Sequence, residues 1–514
     1  MTMQANRAGS GQRGAVADRA SAEPARAGMA ETGAAGTGAT GLGIGPVPAT
    51  DGTVLALARF VHGLRIDAVP EGSRQRASHL MLDAIGCALA ARREDFARRL
   101  VPAIAALADS NGERGVIGHS LRLPWREAVW LNGVLTHGLD YDDTHMAGVI
   151  HLTVSVFPAL LSLAAQRHAS GEQMLLAYIA GLEAGARIAS VVKGGLHAQG
   201  FHPTGVVGAF ASAWAAGKLL GLDQKQLVAA QGIALSLASG NLQFLEDGAW
   251  TKRLHPGWAA QAGIQAARLA GHDVPAPSAP YEGRFGLFRA YLDERLQSKV
   301  ELGLGTAGLG EVWELEQIAV KPFPMCHFVH AATDAAIALR AAGVAVAQIE
   351  RVDALMPEGT LPVVCEPIAA KRRPGSDYDA KFSLPYAVAS GLLRGKLGLR
   401  ELLPEGWTDP EALALMDRVH CRADPGSTFP RHYTGELRIT LANGQTVSHR
   451  ESINRGHAER PLSNAEVRQK FEDNATVHFG DDFASVIATR CLGLTTLSDA
   501  AEFESFLAQD PPSR

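Results

Sequence analysis

Apolar residues recur at three- and four-residue spacing from Thr53 to about Gly271, as in RASHLMLDAIGCALAA and AFASAWAAGKLL. That is the period of helices that bury one face. Small residues dominate these stretches and permit close helix–helix approach. Gly or Pro marks most of the turns, and Leu220-Gly221-Leu222 followed by Asp223 reads as a helix stop and a new N-cap. From about Ala319 to Ser452 the pattern changes. IERVDALMP (Ile349–Pro357) is rich in strand-like β-branched residues. ELRITLANGQTVSHR (Glu436–Arg450) is two alternating runs around Asn443-Gly444, a strong hairpin signal. Helical patterns surround them at His330–Ala342 and Tyr386–Leu397. The end of the chain returns to helix, with Ser463 and Glu466 spaced as a capping box.

These elements predict a mainly α protein with an α+β insertion. A large all-helical domain is built from residues 49–318 and 453–514, and a smaller α+β lid domain from residues 319–452. Residues 1–48 are rich in Ala, Gly, Arg, Ser and Thr with almost no large apolar side chains. They cannot bury enough surface to offset ordering entropy, so disorder is expected there. They also lack the continuous apolar run of a secretory signal. No internal repeat is visible.

The length of 514 residues suffices for two domains with large cores. With 20% charged and 46% hydrophobic residues and a formal net charge of −5, the composition is that of an ordinary globular protein. No basic run with interleaved aromatics points to nucleic acid. The apolar stretches near Ile150–Ala165 and Val206–Leu220 are interrupted or flanked by His, Arg or Lys and read as buried helices, not membrane spans. Five scattered cysteines without a CxxC pair form no disulfide or metal framework, which fits a reducing, cytoplasmic setting.

Chemistry concentrates in four segments. HGLDYDDTHMAGVIH (His137–His151) packs three histidines and three aspartates into an apolar region, where such groups are costly to bury unless paired. GFHPTG (Gly200–Gly205), TKRLHPG (Thr251–Gly257) and KPFPMCHFVH (Lys321–His330) follow. Together they suggest a pocket that binds an acid and moves a proton. Taken alone, each has a plainer reading: Asp140 or Asp142 as a helix cap or buried hydrogen-bond acceptor, His202 as a helix-entry histidine, Arg253 as part of a solvated helix end, Tyr386 as a core aromatic. Only ten of the 48 basic residues are lysines, so Lys252 hints at a need for an ammonium where a guanidinium would not fit. Pro203 suits a first helical position, which would place His202 at a positive helix end and favour its neutral form. No HxxxH helix or EF-hand-like loop appears, so no metal is expected.

With these segments in view, the chain resembles the MmgE/PrpD family, which includes 2-methylcitrate dehydratase, cis-aconitate decarboxylase and iminodisuccinate epimerase. The likeness runs from about Val54 to about Phe506. It passes through DAIGCALA, AVWLNGVLTHGLDYDDTH, GFHPTGVVGAFASAWAAGKLLGL, TKRLHPGWAAQAGIQAARLA, KPFPMCHFVHAATDA, DAKFSLPYAVA and RPLSNAEVRQKF in the family's order. The resemblance implies a helical domain and a smaller lid with the active site between them, no cofactor, and a homodimer. It implies Asp140, His151, His202 and Tyr386 as catalytic residues. Thr144, Lys252, His255, Lys321 and Cys326 would line the substrate, a small polycarboxylate. Arg372 and Arg373 are further candidate cations, and His327 and His330 secondary candidates. Cys326 stands where some decarboxylases carry His, and His151-Leu152-Thr153 stands where the family often has His-Pro-Ser.

These residue types define a reaction class before a substrate: proton removal or delivery at a carbon next to a carboxylate or imine, with cations stabilising the enolate-like charge. A dehydratase or decarboxylase is the first expectation. An epimerase of an imino- or hydroxy-dicarboxylate is the alternative, supported by Cys326 and by the altered motif at His151. A binding protein that lost turnover is a third reading.

Overall fold

The computed structural model describes residues 52–511; the tail expected over residues 1–48 lies outside them. The hydrophobic residues gather into two cores. The first draws on Val54–Val320 and again on Leu462–Leu507. The second draws on Phe323–Leu441. The protein is thus a mostly helical body from both ends of the chain, with a smaller α+β region inserted between them.

The body is organised by α1 (Glu71–Ala91), α2 (Trp125–His137), α3 (Thr153–Arg167), α4 (Gly171–Val191), α5 (Pro203–Leu220) and α6 (Thr251–Gly271). α5 lies against α4 and α6, and α6 in turn against α2. Small residues set how close these helices come. A Cβ added to Gly133 of α2 would lie 2.4 Å from Gly257 Cα of α6, and one added to Gly257 would lie 2.4 Å from the Trp130 carbonyl oxygen. Only backbone fits there. α4 is long and apolar enough to cross a membrane, but 94% of its apolar window is buried inside the body, so it serves as a core helix. Asp223 caps the helix after α5 with a complete capping box, as its sequence predicts. Arg114–Val116 and His119–Leu123 form a short antiparallel hairpin that the helical periodicity of this region does not announce.

In the α+β region four strands lie in the order Val419–Ala423, Ile349–Met356, Gly435–Leu441, Thr446–Glu451. The first pair is parallel and the others antiparallel. The Asn443-Gly444 hairpin forms as expected, with Thr440 opposite Thr446 and Gly444 at φ 80°. α7 (His330–Ala341) packs on this sheet, with α9 (Leu384–Arg394) against α7 and the short α8 (Asp377–Lys381) just before it. The chain then returns to the body through α10 (Asn464–Ala475), whose Ser463–Glu466 capping box is complete, and α10 lies along α1.

Two links bring these parts to one place. Thr144 and His145 pair antiparallel with Ala319 and Ile318, which lays the chain entering the α+β region beside the loop that follows α2. Tyr141 Oη donates to the Pro322 carbonyl at 3.0 Å.

Candidate active site

α2 ends at His137, and the loop after it carries Asp140, Asp142, Asp143 and Thr144. Asp140 sits at φ 55°, a left-handed conformation that Asp tolerates better than most residues. Its carboxylate stands between two ammonium groups. Lys252 Nζ, from the first turn of α6, is 2.9 Å from Oδ1, and Lys321 Nζ is 3.1 Å from the same oxygen. Lys321 also donates to the Asp140 carbonyl at 2.6 Å. Burial by itself would raise the Asp140 pKa. The two lysines outweigh it and hold the carboxyl well below its usual range. Asp140 in turn keeps the buried Lys321 charged, against the desolvation that would lower its pKa.

Behind Asp140 lies a second carboxylate with a different task. Asp142 is fully buried and accepts from two imidazoles: His137 Nδ1 and His151 Nδ1 are each 3.0 Å from its Oδ2. His151 Nδ1 also lies 2.7 Å from the Asp143 carbonyl, so this nitrogen carries the proton. Both rings therefore point Nε2 away from Asp142 as a lone pair. A carboxylate on Nδ1–H fixes tautomer and ring orientation and raises basicity at the far nitrogen. His137 Nε2 is buried with no hydrogen-bond partner among the described residues. Thr144 Oγ1 is 3.3 Å from His151 Nδ1.

His202, the N-cap of α5 with Pro203 in its first turn, and His255, on α6, complete the wall. Their Nδ1 atoms are 2.9 Å apart, so one donates and the other accepts. The His202 ring stacks on His137 at 5.8 Å. Burial, then His137 and Lys252, depresses His202 well below the ordinary histidine value and His255 to about 4. His137 also falls to about 4, through burial that Asp142 only partly offsets. The neutral His202 expected from its helix position is thus favoured chiefly by desolvation. Neutral imidazoles beside a cation-held carboxylate can accept a proton at physiological pH.

Asp140, Thr144, His151, His202, Lys252, His255 and Lys321 come together as anticipated. Cys326 lies beyond Lys321, its backbone N–H bonded to the Lys381 carbonyl. Burial pushes its thiol up to about 11, which favours the protonated form over the reactive thiolate.

Tyr386 is not brought to this group. It is buried in the second core, its hydroxyl donating to the Glu401 carbonyl and accepting from Arg394 at 3.5 Å. Arg372 and Arg373 are also elsewhere, bonded to the Val419 carbonyl and to Asp417. His330 Nε2 bonds the Met325 carbonyl, and His327 Nε2 bonds Asn454. Arg253, expected to be solvated, instead donates from Nε to the Gly138 carbonyl at 2.8 Å and stacks on Phe96.

Sequence reasoning missed Asp142 as the orienting carboxylate and His137 as its second imidazole. The spacing His-x4-Asp-x8-His within one polar run was the available signal. Ligand atoms of His137, Asp142 and His151 lie within 4.8 Å of one another, close enough for a metal ion. The proton that the Asp143 carbonyl requires on His151 Nδ1 works against metal ligation through that atom. His145 is turned away, its Nε2 on Glu314 at 3.0 Å.

Residues 55–299 match the MmgE/PrpD N-terminal domain, and residues 323–494 match the MmgE/PrpD C-terminal domain. The chain belongs to the MmgE/PrpD family. It is 29% identical to the cis-aconitate decarboxylase of Mus musculus over 467 residues, 87% of this chain and 91% of the mouse protein. It is likewise 29% identical to that of Homo sapiens over 474 residues, 89% of this chain and 95% of the human protein. A cis-aconitate decarboxylase of Aspergillus terreus is 31% identical over 298 residues, 56% of this chain and 60% of that one. The N-terminal match falls within the first core, and the C-terminal match spans the second core and runs on into the part of the first that begins at Leu462.

Proposed function

We propose that this protein is a cofactor-independent lyase that acts on a small di- or tricarboxylate. The observation that carries this reading is the group at Asp140: one carboxylate between two lysine ammoniums, beside imidazoles aimed by a second, buried carboxylate. The lysines supply charge for substrate carboxylates. The imidazoles supply the proton acceptor and, once protonated, the donor. In a dehydration, an imidazole takes the proton next to a carboxylate, the electron pair forms the double bond, and the hydroxyl leaves as water with a returned proton. In a decarboxylation, the carbon–carboxylate bond breaks to release CO₂, and its electron pair stays on carbon until an imidazolium protonates it. The lysines stabilise the charge in both cases. A bound polyanion beside the imidazoles favours their protonated form, which provides that donor.

The relatives named above are cis-aconitate decarboxylases, so cis-aconitate heads the test panel, followed by 2-methylcitrate and other small polycarboxylates. The panel is run in deuterated water and followed by NMR. A new product is expected, with deuterium at the reacting carbon after loss of CO₂ and none taken up there after loss of water. Deuterium exchange without a new product would replace the lyase by an epimerase. No change in any compound would leave a binding protein. Activity is expected to survive exhaustive EDTA treatment, and loss with rescue by one metal would overturn cofactor independence. A homodimer is part of this proposal and rests on the family resemblance. Light scattering should then give about twice the 54.2 kDa chain mass.

A further inference from the structure

Four consecutive backbone carbonyls after α2 each accept from a different cationic side chain. Arg253 Nε reaches the Gly138 carbonyl at 2.8 Å, and Lys381 Nζ reaches that of Leu139 at 3.4 Å. Lys321 Nζ reaches that of Asp140 at 2.6 Å, and Lys470 Nζ that of Tyr141 at 2.7 Å. The four cations come from α6, α8, the segment entering the α+β region, and α10. A helix commonly stops with a left-handed glycine one residue past its cap, which satisfies the terminal carbonyls from within. Here the cap is Gly138, right-handed at φ −60°, and Leu139 one residue past it is not left-handed either. The left-handed residue is Asp140, two positions on. Backbone bonds do not satisfy this turn in the usual way, and positive charge from four places gathers on its carbonyls and on the negative end of the helix.

Of the four, only Lys321 has a part in the site as described. Lys470 is buried, ion-paired with Asp83 of α1 at 2.7 Å, and lies 3.8 Å from the centre of the Tyr141 ring. Lys381 is also buried, with Asp377 3.9 Å away as its ion-pair partner. We propose that Lys470 and Lys381 are positioning residues, which hold the Gly138–Tyr141 backbone so that Asp140 presents its carboxylate between Lys252 and Lys321. This deepens the reading of Asp140 as part of a carboxylate-processing site and rests on it for its kinetic consequence alone.

The test replaces Lys470→Met together with Asp83→Asn, which removes the buried pair as a unit and leaves no lone buried charge. The melting temperature should stay within about 3 °C of the parent. kcat on the polycarboxylate that the parent turns over should fall on the order of tenfold to a hundredfold, because small misplacements of catalytic groups are costly. KM should move by less than about threefold, since Lys252 and Lys321 still hold the substrate. A crystal structure of the variant should show Asp140 out of the left-handed region. Unchanged kcat with Asp140 unmoved would overturn the proposal. Should the double variant melt early, Lys381→Met on its own is read by the same kcat, KM and Asp140 conformation, with the same outcomes for and against. If the parent turns over nothing in the panel, the lyase reading fails while the Asp140 conformation still decides the positioning.

Discussion

The helical body and the α+β region supply the pocket in different ways. Besides Lys252 of α6, the body contributes short side chains, most of them held at two points. Asp142 is fixed by two imidazoles, His151 by a carboxylate and a carbonyl, and His202 by a helix start and His255. The α+β side contributes long ones, Lys321 from its entrance and Lys381 from α8, each reaching across to the loop after α2. Proton transfer needs fixed directions, and short, doubly bonded groups on packed helices provide them. Holding a flexible acid needs charge at the right reach, and a lysine on four methylenes provides that. On the proposed reading, the body's short groups would direct proton transfer, and Lys252 and Lys321, one from each side, would meet the acid.

The sharpest way to break this comparison is to remove one cation from each side. Lys252→Ala and Lys321→Ala should each lower kcat/KM on the order of 10²-fold or more with the circular dichroism spectrum unchanged. Wild-type turnover in either variant would show that the two sides do not share the substrate. Next in size, Asp142→Asn leaves two imidazoles without their orienting charge. A drop of about 10- to 100-fold is expected, mostly in kcat, as for other partners that orient a functional histidine. A change confined to KM would mean that Asp142 shapes binding instead.

A third test concerns the body's stability. Burial pushes the Asp143 carboxyl up to about 8; the neighbouring Asp142 and Asp83 add to this, and the Thr153 hydroxyl bond works against it. Its folded pKa is therefore above its unfolded value of 3.8. Between those values the unfolded chain has released the proton and the folded chain keeps it, so this group's contribution to stability declines as pH rises from about 4 to about 8. Asp143→Asn removes that dependence. The variant should gain in melting temperature relative to the parent across that window, and a constant difference from pH 4 to pH 8 would contradict it. The smallest effect belongs to Tyr386→Phe. This change deletes a buried hydroxyl inside the second core, costing about 1 kcal/mol of stability and leaving kcat/KM within about twofold. A tenfold loss of activity would return Tyr386 to the pocket.

Much of this was legible in the chain. Helical periodicity, the Asn443-Gly444 hairpin and both capping boxes are local signals, and local structure follows them. Asp140, Lys252, Lys321 and His202 stand in compact motifs that the resemblance singles out, and the fold brings them together. What escaped depends on long-range pairing. Lys470 meets Tyr141 across 329 positions, and nothing near Lys470 in sequence announces it. One cue was available and underused. Of the ten lysines in the chain, Lys252, Lys321, Lys381 and Lys470 all touch Asp140 or its neighbours. Tyr386 and Arg253 were misjudged for the opposite reason: exposure and direction are properties of the folded surface, and local pattern does not encode them.

The meeting of Gly133 and Gly257 has a consequence for how this enzyme could change over evolutionary time. It works as a fixed ruler between the helix that ends at His137 and the helix that carries Lys252 and His255. Because backbone already touches backbone, the spacing cannot shrink, and any side chain at either position would widen it and spread those groups apart. A change in the size of the molecule processed therefore has to come from residues outside this contact. The catalytic geometry can pass unchanged between enzymes whose substrates differ.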